Sequence, residues 1–161
     1  MSKKVYIGKV VSTHGIKGEI KIISDFEYKD RVFVVGKKLI IDNNEYLIKS
    51  YRHHKQFDMV MLNDFNNIND VLFLMKKKVY FDKDKLVLSD DEILDEDLIK
   101  FKVIDEDRNI GKITEIFMAS STNKILRVEF SHEVLIPYNS PIIKSIDKEK
   151  KEIHVSLIGG M

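Results

Sequence analysis

The chain has 161 residues, enough for one or two small domains, and its 43% hydrophobic and 33% charged content fits a globular protein with a core. It holds no cysteine, which excludes disulfides, thiolate metal sites and cysteine nucleophiles, and no apolar run approaches membrane-spanning length. The net charge of +1 conceals a division: +6 over residues 1–88 and −5 over residues 89–161. The two halves are therefore read either as solvated faces of opposite sign or as two binding surfaces, the basic one for nucleic acid and the acidic one for a basic protein. With no secretory signal in view, the expected location is the cytoplasm.

Lys4 to Ile23 opens the chain with two β-branched runs, Val5–Val11 and Ile20–Ile23, around a polar stretch from Ser12 to Gly18. The pattern predicts a hairpin with a broad, solvent-facing loop. His14 is either a loop histidine bonded to its neighbours or, with Lys17, a donor aimed at a partner. A phosphate loop is excluded by the lack of a Gly-Lys-Ser/Thr ending and by the strand that follows. Phe26 to Val32 reads as loop, Lys37–Ile41 and Glu45–Tyr51 as strands about an Asp-Asn-Asn turn, and Met59–Leu62 as another strand. Arg52, His53, His54 and Lys55 form a cationic cluster at a hairpin end. Adjacent strand histidines point to opposite faces, so a metal site there is disfavoured and phosphate contacts by Arg52, His53 and Lys55 are the sharper reading.

Ile68, Val71, Leu72 and Met75 fall at helical spacing, which predicts one helix over residues 66–75 with Asn67 as N-cap and Lys76–Lys78 at its end. Val79–Phe81 is a last short strand of the first domain. Residues 86–97 read as an acidic linker in which Ile93 and Leu94 are among the few apolar positions. Strands then recur at Leu98–Ile104, Ile110–Met118, Ile125–Phe130, Val134–Pro137, Ile142–Ile146 and Ile153–Leu157, a second β-barrel or β-roll. The fold class is thus all-β: two small β-barrels, residues 1–85 and 98–161, joined by a linker, with one short helix in the first. No catalytic residue, metal site or cofactor is expected. Ser120–Thr122 have no histidine–carboxylate pair tied to them, and the acidic run lacks the ligand spacing of a calcium loop.

Ile7-Gly8-Lys9-Val10-Val11 followed by His14-Gly15-Ile16-Lys17-Gly18-Glu19-Ile20 resembles the opening signature of the RimM family of bacterial ribosome maturation factors. Asp97-Leu98-Ile99, Ile110-Gly111-Lys112-Ile113, Leu126-Arg127-Val128, Leu135-Ile136-Pro137-Tyr138 and Val155 to Gly160 resemble, in order, that family's C-terminal PRC-type barrel. The resemblance implies a non-catalytic assembly chaperone that acts as a monomer, away from membranes. It would bind the head of the immature 30S small ribosomal subunit and assist folding and processing of the 3′ domain of 16S rRNA. The implied protein partner is the nineteenth small-subunit protein, a basic head protein.

Two departures stand out. Ile93-Leu94-Asp95 occupies the place of the family's frequent Tyr-Tyr pair, and Lys77 or Lys100 stands where family members often have glycine. The candidates for rRNA contact are His14, Lys17, Arg52, His53 and Lys55. Those for the ribosomal protein are Ile93, Leu94, Asp95, Glu96 and Asp97, with Ile93 and Leu94 either filling a partner's pocket or packing the linker down. The alternatives are a free-standing β-barrel RNA-binding module acting on tRNA or another RNA, and an unrecognised β-barrel enzyme.

Overall fold

The computed structural model describes residues 3–130 and 132–157 and contains two compact units, 1–87 and 88–161. The first is built on six strands: β1 (Lys4–His14), β2 (Glu19–Ile23), β3 (Lys38–Ile41), β4 (Asn44–His54), β5 (Phe57–Leu62) and β6 (Lys78–Asp82). They close into an antiparallel barrel in the order β1-β2-β5-β4-β3-β6. Alternation places Val5, Ile20, Ile22, Leu39, Ile41, Val60, Leu62, Val79 and Phe81 inside, all buried. Asp42 and Asn43 join β3 to β4 with φ of 54° and 65°, both left-handed, the geometry that suits a two-residue hairpin between twisted strands.

Three local expectations change. The first hairpin loop is shorter than the polar stretch suggested, because Ser12, Thr13 and His14 pair with Lys21, Ile20 and Glu19. Only residues 15–18 turn. A short helix, α1 (Lys29–Val32), replaces part of the loop at 26–32 and buries Val32. The helix expected over 66–75 is instead two 3₁₀ turns, Ile68–Asp70 and Leu72–Leu74. Asn67 does cap the first, its side-chain oxygen accepting from the Asn69 N–H at 2.8 Å. Within the segment the donors reach back three residues rather than four, Val71 N–H to Ile68 O, Leu74 N–H to Val71 O and Met75 N–H to Leu72 O, and its two ends are pinned to the first hairpin by Ile68 N–H to Ile16 O and Lys76 N–H to Val10 O. Of the predicted apolar stripe only Val71 is buried; Leu72 is 50% exposed, and Leu74, outside the stripe, takes the buried place instead.

The first helix or strand of the second unit is α2 (Asp95–Leu98), so Leu98 ends a helical turn rather than starting a strand. Six strands follow: β7 (Lys102–Asp105), β8 (Arg108–Met118), β9 (Lys124–Glu129), β10 (Glu133–Pro137), β11 (Ile143–Asp147) and β12 (Glu152–Val155). They form one sheet in the order β10-β9-β8-β7-β12-β11, antiparallel except for the parallel β7–β12 pair. One core serves the sheet, with Val103, Ile113, Leu126, Val128, Ile136 and Ile153 fully buried and Ile143 and Ile146 packed against it. Of the tail resemblance at Val155 to Gly160, residues 158–160 lie outside the described residues.

Lys100 (φ 78°) adopts the left-handed backbone that glycine takes without penalty, as does Lys76 (φ 67°), whereas Lys77 is not among the positive-φ residues. Lys100 follows the last residues of α2, where glycine is the common stop, and its N–H bonds Ile113 O at 2.7 Å. Lys100→Gly is expected to stabilise the second unit by about 0.5–1 kcal/mol, because relief of the left-handed cost exceeds the added entropy of the unfolded chain. Denaturant titration checks it, and a fall in stability would refute the strain.

Candidate nucleic-acid interface

The β1–β2 turn and the end of β4 meet at Glu19. Arg52, exposed on β4, donates through Nε and Nη2 to the two Glu19 oxygens, each at 2.9 Å. This forked pair fixes both charges in one plane. The Arg52 hydrogen bond holds the Glu19 carboxyl below its ordinary range against the opposing effect of burial, and the charges of His14 and His54 add to the lowering. His14, Arg52 and His54 thus surround one carboxylate. Lys17 is exposed in the β1–β2 turn, and Lys55 is exposed in the β4–β5 turn with φ 56°. Because Ile20 pairs with Val60 and Ile22 with Asp58, the β1–β2 and β4–β5 turns lie at opposite ends of the β2–β5 pair, so Glu19 gathers His14, Arg52 and His54, while Lys17 and Lys55 stand beyond that group on either side. Such an array of donors suits phosphate oxygens.

His53 belongs elsewhere. Its Nδ1 lies 3.3 Å from Oδ1 of Asp58, a carboxylate with 0% side-chain exposure. The Tyr51 hydroxyl donates to the same oxygen at 2.6 Å, and Lys29 Nζ stands 2.8 Å from Oδ2. Phe33 stacks on Tyr51 at 5.7 Å between ring centroids. Burial, and then the hydrogen bond to Asp58, hold the Tyr51 phenol well above its ordinary value near 10. Asp58 thereby ties α1 to β4 and β5, and His53 is a partner of that network rather than a member of the Glu19 group. Sequence reasoning missed Glu19, Asp58, Lys29 and Tyr51. The signal for Asp58 was its parity: it shares the two-residue period of Val60 and Leu62, so it faces inward. Among the described residues no group of three or more His, Cys, Asp or Glu is placed to hold a metal ion.

In the second unit, Ile93 and Leu94 take the packing one of their two readings. They are 6% and 3% exposed, and Ile93 joins the core, so they pack down the segment ahead of α2 rather than project as anchors. With Leu88 and Phe101 they form the apolar wall of a cavity of about 310 Å³, which Glu92, Asp97, Lys148 and Lys151 complete. Asp95 accepts from Lys124 Nζ at 2.9 Å, which fixes the start of α2, while Glu96 and Asp97 are exposed.

A family model of the RimM N-terminal domain matches residues 5–86, and one of the RimM PRC barrel domain matches residues 95–161. The chain is 37% identical over 166 residues to the ribosome maturation factor RimM of Staphylococcus saprophyticus, covering 98% of each chain. It is 36% identical over 165 residues to that of Staphylococcus aureus, again covering 98% of each. It is also similar to a Pseudomonas aeruginosa crystal structure described as a 16S ribosomal RNA processing protein RimM, with TM-score 0.48 and 22% identity over 99% of this chain and 100% of that one. Two domain models in order and full-length relatives above a third identity place the chain in the RimM family of ribosome maturation factors.

Proposed function

We propose that this chain is a non-catalytic assembly factor of the cytoplasm that binds the head of the immature 30S subunit and favours the productive fold of the 16S rRNA 3′ domain. The observation that carries the reading is the cationic cluster around Glu19 on the first unit. Lys17, Arg52 and Lys55 supply charge to rRNA phosphates, and His14 and His54 add donors. Held in place by Glu19, the Arg52 guanidinium loses little freedom when a phosphate meets its remaining N–H groups. The acidic second unit takes the nineteenth small-subunit protein, with Glu96 and Asp97 meeting basic residues and the cavity beside Ile93 and Leu94 admitting an apolar side chain. A chaperone of this kind works by differential affinity. It stabilises one late intermediate over its competitors and binds the mature subunit more weakly.

Charge reversal tests the interface. Arg52→Glu would set a second carboxylate against Glu19 and disturb the hairpins, so the informative variant is Lys17→Glu with Lys55→Glu. The pair is expected to weaken association with free small subunits at least tenfold, and to flatten its salt dependence, without changing the melting temperature. Unchanged capture in a pull-down would remove Lys17 and Lys55 from the interface.

A further inference from the structure

The other end of β1 carries a surface that the Glu19 cluster does not use. Val5 and Ile7 of β1, Val79 and Phe81 of β6, and Leu39 and Ile41 of β3 face the core, so the alternate residues face out. Tyr6, Tyr80 and Ile40 lie in one row across the three strands, Tyr6 opposite Tyr80 and Tyr80 opposite Ile40. The two tyrosine rings meet edge to face at 5.8 Å, and Tyr6 remains 47% exposed. Lys4 extends over the Tyr80 ring, 4.7 Å from its centroid, to bond Asn43.

Beside this row Lys9 stands directly opposite Lys78, both exposed. Like charges across a strand pair destabilise a sheet, and neither ammonium has an ion-pair partner among the described residues. Of the neighbouring carboxylates, Asp82 accepts from the Asp84 N–H and Asp42 lies 3.8 Å from Lys77, while Glu45, opposite Ile40 on β4, is exposed and closes the row on its far side from the lysine pair. Lys38 is exposed on the third strand. An exposed ring and a partly buried one side by side on a sheet, flanked by cations that repel one another until an anion arrives, match the chemistry of unpaired nucleotides, whose bases stack while their phosphates neutralise charge. An acidic polypeptide would satisfy the lysines but leave the tyrosine faces without a planar partner.

We propose that the outer face of β1, β6 and β3 is a second RNA surface, on which Tyr6 and Tyr80 stack unpaired bases while Lys9, Lys78 and Lys38 meet phosphates. It deepens the ribosomal reading and rests on it for the source of the strand, an unpaired segment of immature rRNA.

The probe is a fluorescent uridine oligonucleotide about ten nucleotides long, titrated by anisotropy against the full chain at low salt, with an abasic oligonucleotide and polyglutamate as competitors. Tyr6→Val and Tyr80→Val are each expected to weaken binding about tenfold, the loss of one stacked base, with the barrel intact by circular dichroism. Lys9→Gln with Lys78→Gln is expected to weaken binding while raising the melting temperature by about 2 °C, because the repulsion disappears with the anion site. A merely structural role would move stability and binding in the same direction. No binding by the parent chain, unchanged affinity in the tyrosine variants, or competition by polyglutamate or the abasic strand as strong as by the intact oligonucleotide would overturn the proposal. Oligonucleotide binding without small-subunit association would retain this surface and reject the ribosomal reading, and the reverse pattern would do the opposite.

Discussion

Lys29→Met is expected to lower the stability of the first unit by about 3 kcal/mol, a fall of about 15 °C in its melting transition. The cause is the carboxylate left behind. Asp58 has no exposure, whereas the Lys29 ammonium, 2.8 Å from it, is 31% exposed. Removing the lysine leaves a buried charge held only by the Tyr51 hydroxyl and the His53 ring. Lys29→Met with Asp58→Asn should recover much of the loss, since the burial cost belongs to the unpaired charge rather than to the missing contact. The same network sets an alkaline limit. The folded pKa of Tyr51 lies above its unfolded value near 10, so its contribution is complete below pH 10 and declines as pH rises beyond it. Tyr51→Phe should flatten that decline. An unfolding series across pH checks both, and a stable Lys29→Met would show that Asp58 does not hold α1.

Gly18→Ala is expected to cost about 3 kcal/mol and to weaken small-subunit association with it. Gly18 has φ 91°, and a Cβ there would stand 2.9 Å from the Asn67 carbonyl oxygen, with Asn67 C and N also within 3.4 Å. Left-handed strain and overpacking against backbone add together, and neither side can yield cheaply. The neighbouring bond from Ile68 N–H to Ile16 O carries the displacement into the 3₁₀ segment, and the turn bearing His14 and Lys17 moves. Gly15→Ala in the same turn is the control. At φ 69° a Cβ there meets nothing within 4 Å, so the strain alone remains, about 1 kcal/mol. Equal effects of the two substitutions, read by denaturant unfolding, would refute the packing argument.

These residues show what the sequence made legible. Strands could be read where β-branched alternation met a turn of known chemistry, as at Asp42-Asn43, whose left-handed backbone the residue types announce. The 66–75 segment was misread because its apolar spacing did not report its packing: two 3₁₀ turns bury Val71 and Leu74 and leave Leu72 half exposed, their N–H groups bonding carbonyls three residues back rather than four. The motif around His14 and the cluster at Arg52 were both visible, but Glu19, which joins them, was only a letter of the motif until strand pairing brought β2 and β4 to either side of β5. His53 and Arg52 are adjacent in sequence yet serve different carboxylates, since successive strand residues face opposite ways. Ile93 and Leu94 were open between two roles in the sequence, and only their burial shows that they pack.

Sedimentation of the tagged chain with ribosomal fractions from a lysate, across a salt series, tests the central claim most directly. The account predicts association with free small subunits and not with complete ribosomes, with affinity falling steeply as salt rises and the Lys17→Glu, Lys55→Glu variant falling less steeply. Absence from every ribosomal fraction at low salt, or equal association with complete ribosomes, would contradict it.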